Sequence, residues 1–123
     1  MAPKTKKVFS EAVVKINATF NNTHVTFTTP SGDVLSRASA GRAGFKGARK
    51  GTPYAGQCAS EIAVKEAVEK YGVKRVIVRI AGAGAGRDLA IRAINNSGIK
   101  ITRLEDRTPL PHNGCRARKK RRV

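Results

Sequence analysis

Four cations, Arg42, Lys46, Arg49 and Lys50, stand among glycines 41, 44, 47 and 51 in the stretch Ser39-Ala40-Gly41-Arg42-Ala43-Gly44-Phe45-Lys46-Gly47-Ala48-Arg49-Lys50-Gly51-Thr52-Pro53-Tyr54. Glycine at that density leaves the backbone too free for a helix or strand over most of the segment. A chain with little side-chain bulk can lie close against a partner, and cations every few residues make that partner an anion. Phe45 is the one aromatic among the cations. Thr52-Pro53 reads as an N-cap and a first helical residue, so the loop ends on a helix N-terminus. Unpaired N–H groups at such an end favour a phosphate. The chemistry available is charge neutralisation. A plain solvated surface loop has the same composition, and the segment alone does not separate the two readings.

Bond-breaking chemistry has less to work with. The eight acids are scattered, and general acid–base or metal-assisted cleavage needs several converging on one point. Glu61, Glu66 and Glu69 fall on an expected helix as solvated ion-pair partners. Glu105-Asp106 are adjacent at a strand end and therefore point to opposite faces. Cys58 and Cys115 are far apart and read as reduced thiols, Cys58 as a small core residue rather than a nucleophile. Neither His24 nor His112 joins them in a metal-ligand set, so no metal and no cofactor are expected. Gly82-Ala83-Gly84-Ala85-Gly86 lies between a strand and a helix, as a dinucleotide loop would. The third glycine of G-x-G-x-x-G would fall on Arg87, however, and too few strands remain for that fold. Two readings are left for the loop: exposed N–H groups with Arg87 gripping a backbone phosphate, or a tight strand-to-helix turn.

The whole chain decides the sign of the partner. Its 123 residues carry 25 Lys+Arg against 8 Asp+Glu, a net charge of +17. Such an excess repels itself in a compact state and calls for a polyanion, with nucleic acid first. A membrane is not expected, because no segment is a basic amphipathic helix with bulky apolar residues opposite and no apolar run is of spanning length. The N-terminus lacks the apolar core of a signal peptide, and the expected location is cytoplasmic. No helix carries a stripe of Arg, Asn and Gln to read a DNA major groove, and the cations sit on loops and tails, which suits an irregular folded RNA.

The elements that must position these residues follow from periodicity. Residues 1–9 are a basic arm, expected to be disordered, and 10–106 form one α/β domain. Strands are expected from Ser10 to Ala18, Thr23 to Thr28 and Val34 to Ser39, joined by turns too short for crossovers and so antiparallel. A helix is expected from Pro53 to Tyr71, with Ala55, Cys58, Ala59, Ile62, Ala63, Ala67 and Tyr71 on its apolar side and Gly72 as its stop. Arg75 to Ala81 is a strand, Arg87 to Ser97 a helix, and Ile99 to Asp106 a strand. The order strand-strand-strand-helix-strand-helix-strand predicts a five-stranded mixed sheet with helices on its faces and right-handed crossovers in its later part. Residues 107–123 form a basic extended tail.

Asn21-Asn22-Thr23-His24-Val25-Thr26, Ser39-Ala40-Gly41 with Gly44-Phe45-Lys46-Gly47, Thr52-Pro53-Tyr54-Ala55, and Thr108-Pro109-Leu110-Pro111-His112-Asn113-Gly114-Cys115-Arg116 together resemble the small-subunit ribosomal protein family eleven, in its bacterial or organellar branch. The resemblance covers nearly the whole chain. It implies a non-enzymatic constituent of the small ribosomal subunit with a ribonuclease H-like sheet that lacks catalytic acids. It further implies binding to small-subunit ribosomal RNA on the platform, near the messenger RNA exit path and beside proteins six, eighteen, twenty-one and seven, with no small-molecule substrate. RNA contact is carried onto Asn21, Asn22 and Thr23; onto Arg42, Phe45, Lys46, Gly47, Arg49, Lys50, Thr52 and Tyr54; onto Arg87; and onto His112, Asn113, Arg116, Arg118, Lys119, Lys120, Arg121 and Arg122. Lys4, Lys6 and Lys7 of the arm join them by charge. The chain departs from the family pattern at Ala83, where proline is common, and at Ala117-Arg118, where paired prolines are common. The competing expectations are a metal-dependent nuclease on the same fold and a free regulatory nucleic-acid-binding module.

Overall fold

The computed structural model of the protein describes residues 10–120 and Arg122. The arm 1–9 with Lys4, Lys6 and Lys7, and Arg121 in the tail, lie outside the described residues. Five strands and two helices follow one another as β1 (Glu11–Ala18), β2 (Thr23–Thr28), β3 (Val34–Ser39), α1 (Pro53–Tyr71), β4 (Arg75–Ala81), α2 (Arg87–Asn96) and β5 (Lys100–Asp106), with a short 3-10 turn at Gly47–Gly51 before α1. The sheet order is β3-β2-β1-β4-β5. β1 pairs antiparallel with β2, and β2 with β3, while β4 lies parallel to both β1 and β5.

This order explains a difference from the sequence reading. From β3 through α1 to β4, and from β4 through α2 to β5, the chain advances in the same direction across the sheet. Two right-handed crossovers in one direction put both helices on one face. The two helices accordingly share one core with the inward residues of the strands: Val14 and Ile16 of β1, Val25 and Phe27 of β2, Val76, Val78 and Ile80 of β4, Ala59, Ala63 and Ala67 of α1, and Ala90 and Ile94 of α2. The molecule is thus two layers, one sheet and one layer of helices. Lys15, Asn17, His24, Thr26, Arg37 and Arg79 alternate with these core positions and so face away from the helices.

Helix α1 lies close on the sheet because its inward stripe is small. Its buried residues are Ala55, Gly56, Ala59, Ser60, Ala63, Val64 and Ala67. Cys58, Ile62 and Tyr71, expected on the apolar side, are only half-buried. Gly56 and Ser60 replace them where α1 meets α2: a side chain on Gly56 would come within 2.7 Å of the Gly86 backbone, and the Ser60 hydroxyl donates to the Ala90 carbonyl at 2.8 Å. Gly72 ends α1 in the left-handed region, as expected.

Candidate nucleic-acid interface

The cationic loop begins at the end of β3. The Ala40 N–H donates to Thr23 O at 3.1 Å and the Phe45 N–H to Ala40 O at 3.1 Å, folding residues 40–45 into a compact turn. Gly44, at φ 100°, and Gly47, at φ 60°, occupy backbone conformations that side chains disfavour. Arg42 is held in place: its guanidinium donates to the Arg37 carbonyl and to Glu66 on α1. Phe45 meets Tyr54 edge-on, with ring centroids 5.8 Å apart and planes at 78°, which ties the loop to the first turn of α1. Thr52 caps that turn by accepting from the Ala55 N–H at 3.3 Å, so one donor of the expected phosphate-binding N-terminus is already occupied. The Cys58 thiol, hydrogen-bonded to Tyr54, raises the phenol above its ordinary pKa. Lys46 and Arg49 are exposed and Lys50 half-buried, and none of the three forms an ion pair among the described residues.

The second glycine loop is built differently. The Gly82 N–H donates to the Thr108 hydroxyl at 3.1 Å, Gly84 N–H to Ala18 O at 2.9 Å, and Arg87 N–H to Gly84 O at 3.4 Å. Arg87 donates to the Gly82 carbonyl at 3.1 Å and pairs with Asp106 at 3.2 Å. Arg87, expected to grip a phosphate, braces its own loop, and the loop forms a tight strand-to-helix turn.

Both loops converge on the β1–β2 turn. Thr19 closes that turn, its N–H donating to Asn22 O at 2.8 Å while its hydroxyl oxygen accepts from the N–H groups of Asn21 and Asn22 at 3.3 and 3.0 Å. Asn21 is exposed and Asn22 half-buried, its Oδ1 accepting from the Thr23 N–H at 2.8 Å. Thr23, placed with them by resemblance, turns its side chain inward and is fully buried against Gly86. It presents no hydroxyl to a partner, because position 23 has the core parity of β2.

More of the charge lies on the tail and on the helix-free face. Residues 109–120 and Arg122 are exposed and carry no helix or strand, with His112, Asn113, Arg116, Arg118, Lys119, Lys120 and Arg122 all at the surface. Asn113 has φ 57°, in the left-handed region that asparagine tolerates. On the helix-free face, Lys15, Asn17, His24, Thr26, Arg37, Ser39 and Arg42 line a concavity of about 720 Å³. Its neighbour across β1 is lined by Lys15, Asn17, Arg79 and Arg107. Lys15, Arg37 and Arg107, which line these concavities, are not among the residues that the sequence singles out. The alternation of β1 and β3 was the available signal, once the direction of the two crossovers is counted.

Two acids at the end of β5 temper this face. Glu105 receives Arg79 and Arg103 at 3.0 Å and Arg107 at 3.2 Å. Burial opposes its ionisation, but the Arg79 hydrogen bond and the three nearby guanidinium charges outweigh it and lower its pKa. Asp106 is lowered mainly by hydrogen bonds from the Thr108 hydroxyl and N–H, with help from Arg87. Both carboxylates therefore serve as structural anchors. No group of three or more metal-ligating side chains occurs among the described residues.

The fold and these side chains define a small basic α/β protein. Its cations without an ion pair among the described residues lie outside its core, on one loop, one tail and one sheet face and also, as Lys65, Lys70, Lys74, Arg92 and Lys100, on or beside its other elements. The model of the family described as ribosomal protein S11 matches residues 12–122. The chain is 53% identical to small ribosomal subunit protein uS11 of Coxiella burnetii (strain RSA 493 / Nine Mile phase I) over 123 residues, the whole of both chains. It is 55% identical to the protein of the same name from Halorhodospira halophila, and likewise to that from Neisseria meningitidis, over 120 residues covering 98% of this chain and 91% of each relative. The chain belongs to the ribosomal protein S11 family. That family is a structural component of the small ribosomal subunit and not a family of enzymes, so the nuclease alternative is set aside.

Proposed function

We propose that this protein binds small-subunit ribosomal RNA on the subunit platform in the cytoplasm, supporting assembly and translation near the messenger exit path. Neighbouring platform proteins six, eighteen, twenty-one and seven would lie around it. The observation that carries this reading is the segregation of charge. Acids pair with Arg42, Arg75, Arg79, Arg87, Arg103 and Arg107, whereas Lys46, Arg49, Lys50 and the tail cations Arg116, Arg118, Lys119, Lys120 and Arg122 have no acidic partner among the described residues. Cations left unpaired on loops and a tail, over a neutral core, are arranged for phosphates at several separate points. In this reading Asn21 and Asn22 contact RNA from the β1–β2 turn, and His112 and Asn113 from the bend of the tail. Lys15 and Arg37 add a polar cradle for a sugar–phosphate strand.

The test is the affinity of the full chain for a small-subunit ribosomal RNA fragment as salt is raised. With about 6–10 phosphates neutralised, affinity falls about 10³–10⁵-fold between roughly 50 and 200 mM salt. A flat response would contradict the reading.

A further inference from the structure

Phe20 is the most exposed large apolar side chain described, with 83% of its surface accessible. A phenylalanine turned into water forgoes the stabilisation that burial would give it. An exposed aromatic on a loose turn would need no explanation, but this turn is not loose. Thr19 closes it with four hydrogen bonds, three of them at its hydroxyl. The backbone is also gripped from both sides. A side-chain carbon on Gly51 would fall 2.1 Å from the Phe20 carbonyl oxygen, and one on Gly84 would fall 2.3 Å from the Thr19 carbonyl oxygen. Both glycine loops therefore press bare backbone against the carbonyls at Thr19 and Phe20. The ring stands on a pedestal whose ordering is complete before any partner arrives, which lowers the entropy lost on binding.

The surroundings choose the partner. Asn21 and Asn22 flank the ring in sequence, and the loop that grips its carbonyl carries Arg49 and Lys50 immediately before Gly51. Two cations without ion pairs among the described residues, so close along the chain to the Gly51 contact, argue against a protein partner with an apolar pocket. An unpaired nucleobase supplies a flat π-face for the ring, and its strand supplies phosphates for the cations. We propose that Phe20 is a base-stacking contact, its ring taking one unstacked base of the RNA whose phosphates Arg49 and Lys50 neutralise. This rests on the RNA-binding reading above and adds to it a contact that is not electrostatic.

The test compares full-length wild type, Phe20→Leu and Phe20→Trp on the same ribosomal RNA fragment, with thermal unfolding as the control. The side chain is exposed, so all three unfold at the same temperature. Stacking on one base predicts that Phe20→Leu weakens binding by about 5–150-fold, while Phe20→Trp holds or improves it. Stacking releases no counterions, so the slope of log affinity against log salt stays at the wild-type value in both variants. Phe20→Leu binding as tightly as wild type, or losing affinity together with slope, overturns the stacking contact and leaves RNA binding standing. A wild type that ignores RNA overturns both.

Discussion

The two glycine loops look alike as sequence and differ as structure. Gly41–Gly51 and Gly82–Gly86 each follow a strand and each lead into a helix, the first with arginines inside it and the second with Arg87 directly after it. In the second loop the polar groups turn inward: Gly82 and Gly84 donate to Thr108 and Ala18, and Arg87 is shared between a carbonyl of its own loop and Asp106. In the first, Arg42 is tied down by Glu66, but Lys46, Arg49 and Lys50 are left without acids. Glycine marks close backbone approach to the β1–β2 turn in both, at Gly51 and at Gly84, and it is the fate of the cations that separates the two loops.

The sharpest way to break this contrast is to add bulk to the inward loop. Gly84→Val drives a side chain into the Thr19 carbonyl, and overpacking of that kind costs about 1–3 kcal/mol or more. Chemical denaturation reads that loss. A wild-type midpoint for Gly84→Val would mean the loop is not pressed against the β1–β2 turn. The next effect is smaller. Arg87→Gln lowers the thermal midpoint by a few degrees at most and leaves RNA affinity unchanged, since Arg87 faces its own loop. Because the Asp106 pKa is lowered in the folded state, its contribution to stability is full above the ordinary carboxyl range. It is lost as pH falls through the depressed value. The gap between wild type and Arg87→Gln should accordingly close in acid. A drop in RNA affinity for Arg87→Gln, at unchanged stability, would return Arg87 to the interface.

Much of the fold was legible because period-two alternation is strong in β1, β2 and β4: Val25 with Phe27, and Val76, Val78 and Ile80, lie inside as their spacing requires. The inner stripe of α1 was less so. Gly56 and Ser60 carry no apolar signal, yet they are buried because another helix needs that space. Thr23 was placed at the surface with its asparagine neighbours, although its parity on β2 points inward. The second loop was open to two readings because the acceptor of its Gly84 N–H, the Ala18 carbonyl, comes from the far end of the chain, and composition does not reveal whether an N–H is occupied. The helix-free face was missed for a similar reason: it exists only because both crossovers run the same way across the sheet.

In the proposed reading the charge of Gly41–Gly51 is held for an external polyanion, while the sheet stands without it. The most direct measurement is the salt dependence of ribosomal RNA binding by the Lys46→Ala, Arg49→Ala, Lys50→Ala triple variant, with its unfolding midpoint recorded alongside. Three lost phosphate contacts reduce the slope of log affinity against log salt by about 2–3, with the midpoint unchanged. A wild-type slope in that variant, or a slope lost only because the domain has unfolded, would contradict the claim.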